Sequence, residues 1–118
     1  MPKKRNIRLF LNDILQSINK INEYTQNMRY DEFINDEKTK DAVVRNLEII
    51  GEATKNIPDE IKKKYPEVNW KSVAGMRDKL IHEYFGVDPK IVWETIKSDL
   101  PEIEPKIKYI LKEVKIKQ

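Results

Sequence analysis

Apolar residues near the start of the chain recur at steps of three and four: Ile7, Phe10, Leu11, Ile14, Ile18, Ile21, then Tyr24 or Met28. A helix turns once in 3.6 residues, so this spacing draws one apolar stripe along a helix, whereas a strand repeats every second residue. The spacing predicts one long amphipathic helix from about residue 4 to 28. Arg29 to Asp36 breaks the pattern, and Phe33 and Ile34 are expected to tuck a short turn onto the core.

A second long helix is expected after Asp36 or Thr39, either of which suits a helix cap. Its wide apolar stripe comprises Ala42, Val43, Asn46, Leu47, Ile49, Ile50, Ala53, Thr54 and Ile57. Gly51 sits inside it, where glycine costs about 1 kcal/mol relative to alanine. Arg45, Glu48 and Glu52 share another face, by spacings of three and four. Pro58 begins a short piece to about Tyr65, and Pro66 stops it. Asn69 can cap a helix from Trp70, with Val73, Arg77, Leu80 and Tyr84 on one stripe and Ala74, Asp78, Ile81 and Phe85 beside it. Gly86 ends that run, and Asp88-Pro89 opens a short helix with Ile91, Val92, Trp93 and Ile96. Asp99 precedes Leu100-Pro101 and a final helix through Ile103, Ile107, Ile110, Leu111 and Val114, with Pro105 tolerated near its beginning.

No segment alternates as a strand does, and there is no internal repeat. The reading is an all-α, up-and-down bundle of two long antiparallel helices with about three shorter ones, one domain over residues 1–118. Charged residues make up 36% and glycine only three of 118 positions, which suits a helical chain with a solvated exterior. A net charge of +3 from intermixed signs excludes a simple polycation that coats nucleic acid. Without cysteine, disulfides and iron–sulfur clusters are excluded, and a single histidine makes structural zinc a poor fit. Neither a signal peptide nor a membrane-spanning run is present, and a cytoplasmic protein is expected.

The chemistry concentrates in Arg77-Asp78-Lys79-Leu80-Ile81-His82-Glu83-Tyr84, which holds the chain's one histidine. Histidine exchanges protons near neutrality, and arginine carries a permanent fork of donors suited to phosphate. On an ideal helix His82 lies roughly 140° around from Arg77, whereas Tyr84 returns to within about 20° of it. A site in one chain would need a distorted helix; a two-fold dimer would set two histidines and two arginines around one groove. Cleaving RNA through its 2′-OH needs a base and an acid, which a dimer supplies with two histidines. By spacing alone, a lone histidine near a helix end is more often a cap or a satisfied buried group. Arg77 would ordinarily pair with a carboxylate such as Glu48 or Glu52, and Tyr84 would be a core aromatic. Periodicity by itself leaves a helical domain of unassigned role.

The R-x-x-x-x-H-x-Y string resembles the signature of the HEPN superfamily of ribonucleases. Asp41 to Ala53, with Arg45-Asn46-Leu47-Glu48-Ile49-Ile50-Gly51-Glu52, looks like the second helix of its HepT-type branch, and Trp70 to Val87, with Ala74-Gly75-Met76-Arg77-Asp78, looks like its motif helix. Leu9 to Ile21, Trp93 and Asp99-Leu100-Pro101 follow in the family's order, so the resemblance covers nearly the whole chain. It implies an all-helical homodimer acting as a metal-independent endoribonuclease toxin without a cofactor. It assigns catalysis to Arg77 and His82, with Asp78 often counted beside them; Arg45, Glu48 and Glu52, by default a solvated face, are expected as supporting residues. It further implies a partner, an MntA-like minimal nucleotidyltransferase antitoxin that transfers AMP from ATP to Tyr84. The alternative is a non-catalytic HEPN subunit that binds nucleotide or substrate for such a transferase.

Overall fold

The computed structural model describes the backbone of residues 4–83 and 89–116 and the side chains of residues 7–76 and 89–114. Helix α1 (Lys4–Tyr24) buries the stripe that its spacing foretells: Ile7, Leu11, Ile14, Ile18 and Ile21 are all at most 5% exposed. It stops four residues short of the expected end. The Thr25 N–H and hydroxyl both donate to the Ile21 carbonyl, at 3.0 and 2.8 Å. Asn27 then adopts φ 60°. Asparagine tolerates that left-handed conformation better than most residues, and it turns the chain out of the helix.

Helix α2 (Tyr30–Ile34) is a single short turn whose start is tied by the Arg29 N–H donating to the Glu32 carboxylate at 2.8 Å. Its purpose in the fold is Phe33, 1% exposed, which packs at a tilt on Trp93 with ring centres 5.1 Å apart. Trp93 also meets the edge of Tyr30 at 6.0 Å, and the Lys97 ammonium lies 4.6 Å from its ring centre.

Helix α3 (Glu37–Lys55) is capped by Asp36. Its carboxylate accepts from the Thr39 N–H at 3.0 Å and from the Thr39 hydroxyl at 2.8 Å. These two bonds to the ionised form hold the Asp36 carboxyl below its ordinary pKa. Val43, Leu47, Ile50 and Thr54 are wholly buried, and α3 packs against both α1 and α5 (Trp70–Glu83). Gly51 lies buried within α3. Asn46 is the expected polar member of the stripe. Its amide nitrogen donates to the Ala42 carbonyl at 2.9 Å, whereas its buried oxygen has no hydrogen-bond partner.

Helix α4 (Asp59–Lys64) follows Pro58. Beyond α5 come α6 (Pro89–Glu94), a π-helical turn (Thr95–Asp99) and α7 (Leu100–Ile116). The sequence suggests a break at Asp99-Leu100-Pro101; the backbone instead runs from α6 through the wide turn into α7. A proline ring crowds the carbonyl four residues earlier. The π turn sits directly before Pro101 and opens the backbone around the carbonyl of Lys97. Pro105 lies one turn further into α7, as expected near that helix's start. α7 covers α1 with Ile103, Ile107, Ile110, Leu111 and Val114, each at most 8% exposed. The described residues contain no strand, so the architecture is all-α.

A polar clasp joins the α4 end to α7. The Tyr65 hydroxyl donates to one oxygen of Glu113, and the Tyr109 hydroxyl donates to the other at 3.1 Å. Burial, then the Glu113 carboxylate, pushes the Tyr65 hydroxyl up to about 12. The folded state thus holds this proton more tightly than the unfolded chain does. Its contribution is complete below the ordinary tyrosine value of 10.0 and is lost as pH rises toward about 12. Thermal melts from neutral to strongly alkaline pH are expected to show wild type losing stability across that window. Tyr65→Phe should start lower by about 1 kcal/mol and lose less over the same window; parallel curves would exclude the clasp as the cause.

Candidate active site on helix α5

Local bonds set the rotation of α5 about its axis. The Asn69 side chain accepts from the Ser72 N–H at 3.1 Å, which caps the helix as the sequence suggests. The Trp70 indole N–H donates to the Tyr65 carbonyl at 2.9 Å, and Trp70 and Val73 are 8% and 6% exposed. Lys71 and Ser72 are exposed on the other side. The Trp70–Val73 side of α5 therefore faces the core, and among the described residues its main neighbour is α3.

α5 is uninterrupted α-helix from Trp70 to Glu83. A distorted helix is thus not what brings Arg77 and His82 together. By register, Arg77 stands one turn after buried Val73 and within about 20° of Trp70, in the middle of the inward side. His82 stands three turns after exposed Lys71, about 20° away from it around the axis, and so falls on the outward line. The side chains of Arg77, Asp78 and His82 lie outside the described residues, as do Tyr84 and the expected caps Gly86 and Asp88.

The supporting residues sit on α3, opposite its buried stripe. Arg45 and Glu52 are exposed and Glu48 is half-buried. The expected pairing of Arg77 with Glu48 or Glu52 lies outside the described residues. Among those residues, no group of three or more histidine, cysteine, aspartate or glutamate side chains is placed to hold a metal ion. No described helix is long and apolar enough to cross a membrane.

Beside the motif, Gly75 is named from the sequence within Ala74-Gly75-Met76-Arg77-Asp78 but given no role there, and a nearby recess is not foreseen. Gly75 is half-buried within α5, and a Cβ there would meet nothing within 4 Å among the described residues. A recess of about 130 Å³ lies between the first half of α5 and the start of α7, with Val73, Met76 and Ile103 as its apolar part and Asn69, Ser72, Asp99 and Glu102 as its polar part. The glycine was legible in principle, as a poor helix former inside a helix. The recess was not, because it depends on how α7 meets α5.

Known proteins place this motif helix in a wider family. The family model described as "Ribonuclease HepT-like" matches residues 14–110. The chain belongs to the HepT-like ribonuclease family. A Methanocaldococcus jannaschii protein named "Putative RNase" is 54% identical over 97% of this chain and 93% of its own length. A second from the same organism, of like name, is 52% identical over 99% of this chain and its entire length. "Probable ribonuclease HepT" of Thermococcus cleftensis is 47% identical over 92% of this chain and 99% of its own. No solved structure matches. The HepT-like match begins within α1 and ends within α7, so it takes in the motif helix and the α3 face that carries Arg45, Glu48 and Glu52. The family resemblance read from the string and from the α3 segment is therefore met, together with its all-α architecture.

Proposed function

We propose that this chain is the endoribonuclease toxin of a toxin–antitoxin pair, a single domain that works as a cytoplasmic homodimer. The observation that carries the reading is the Arg77-x4-His82 string on an undistorted helix in a HepT-like ribonuclease. One regular helix separates the two residues by roughly 140°, and each chain has one histidine. Two α5 helices facing across a two-fold axis supply both halves of the chemistry. One His82 takes the proton from the RNA 2′-OH, and that oxygen attacks the adjacent phosphorus. The bond from phosphorus to the 5′-oxygen breaks, and the other His82, as imidazolium, protonates the leaving oxygen. Arg77 stabilises the negative charge that builds on the phosphoryl oxygens. Asp78 is assigned a place beside them, with Arg45, Glu48 and Glu52 in outer support. The scheme calls for no metal or cofactor.

Control comes from a nucleotidyltransferase antitoxin that moves AMP from ATP onto Tyr84. By sequence spacing Tyr84 falls on the Arg77 stripe, so the new phosphodiester would compete with RNA for the same guanidinium. The first test is cleavage of RNA by purified, unmodified protein with EDTA present. Cleavage supports the enzyme; failure of wild type to cut would point to a non-catalytic HEPN subunit that serves the transferase. The second test is peptide mass spectrometry after expression with the antitoxin. AMP on Tyr84 is expected, and modification confined to other residues would remove the switch from this tyrosine.

A further inference from the structure

Glycine inside a helix needs a reason, because alanine would hold the helix better. At Gly75 the described residues provide none. A side chain there would meet open space, and the backbone is ordinary α-helix with no positive φ at this glycine. The room over Gly75 lets something else come close to the α5 backbone.

The register of α5 says what that is. Gly75 and His82 are seven residues apart, so they lie within about 20° of one another on the outward line and about 10.5 Å apart along the axis. Lys71 precedes Gly75 by one turn and Lys79 follows it by one turn, each displaced by about 40° to opposite sides. Ser72 and Asp78 stand further out on the two flanks. Two lysines therefore bracket a position without a side chain, on the line that leads to the histidine. Asp99 and Glu102 line the recess on the Ser72–Met76 side; Glu102 is paired with Lys106 at 3.5 Å, which leaves Asp99 as the carboxylate that disfavours a phosphate on this flank. The charge pattern thus favours a polyanion over Gly75 and bounds its path on one flank.

We infer that Gly75 is a seat for the RNA backbone two turns before the cleaved bond, with Lys71 and Lys79 as its phosphate clamps. The inference rests on the ribonuclease reading for what lies at His82. The strand crosses α5 at the one place on this line where the helix backbone can be approached closely, and this aligns the scissile phosphodiester beside His82. Gly75 and the two lysines are positioning residues; they do not take part in proton transfer.

The test separates binding from chemistry and from folding. Gly75→Ala and Gly75→Gln are compared with wild type in thermal melts, sedimentation and cleavage of a single-stranded RNA. The same changes, and Lys71→Ala, are then placed in a His82→Ala background, and binding of that RNA is followed by fluorescence anisotropy. Gly75→Ala is expected to raise the melting temperature by about 3–5 °C while raising KM and Kd by about tenfold, with kcat within about twofold. Gly75→Gln should weaken binding further. Lys71→Ala should lower the salt dependence of binding by a slope of about 0.7. Unchanged Kd in both Gly75 variants would overturn the seat. So would a loss of dimer that accounts for the weaker binding, since the neighbour over Gly75 would then be a second copy. If wild type binds RNA with this dependence on Gly75 but never cuts it, the ribonuclease reading fails and the seat stands.

Discussion

Replacing His82 by alanine is expected to lower RNA cleavage by about a thousandfold or more. A positioned general acid or base contributes about 10²–10⁴, and His82 is assigned both duties, one in each copy. Arg77→Ala should cost about 10²–10³, the scale for removing one donor to a developing oxyanion. Neither change should lower the melting temperature much if the residue serves the groove. The shared use of two histidines has its own signature. When a fixed total of chain is refolded from wild type and His82→Ala in varied ratio, activity should follow the square of the wild-type fraction. A linear dependence would show that each chain works with its own histidine, and equal cutting by His82→Ala and wild type would end the catalytic assignment.

Phe33→Ala should be the most damaging single change to the fold away from the long helices. Phe33 is 1% exposed and sits on a helix of only five residues. Truncating a buried phenylalanine costs about 3–5 kcal/mol, against a total stability of about 5–15 kcal/mol for a typical domain. A fall of roughly 10–20 °C in melting temperature is expected, seen by calorimetry. The loss should also have a direction. Phe33 carries Trp93, and Trp93 belongs to α6, which starts six residues after α5 ends. Amide exchange in Phe33→Ala should therefore quicken in α6 before it quickens in α1. A uniform rise would mean that the aromatic group does no more than fill space.

The long helices were legible because burial has the helical period. Every member of the Ile7–Ile21 stripe except Phe10 is buried, and Phe10 packs partly against the core. The caps Asp36 and Asn69 were legible because a short polar side chain before an apolar run has few other uses. Boundaries were harder. Thr25 and Asn27 end α1 through a backbone conformation that periodicity does not encode. Pro101 reads as a stop, yet a π turn lets the helix pass it, a choice made by packing rather than by propensity. The Tyr65–Glu113 clasp spans 48 residues of sequence, so no local pattern announces it. As for the site, the string and the mismatch between Arg77 and His82 were both visible from spacing. The outward direction of the His82 line was not, because it follows from how Trp70 and Val73 seat α5 on the core.

The cover that α7 lays over α1 has a consequence for the protein's birth. Seventy-five residues separate the end of α1 from the start of α7. At about 5–20 residues per second, a ribosome needs roughly 4–15 s to make them. Through that interval the nascent chain shows Ile7, Leu11 and Ile14 without their final cover. A complete ribonuclease fold cannot close until α7 has left the exit tunnel. Closure of the core is thereby tied to the order of synthesis, because the last helix made is the one that seals the first.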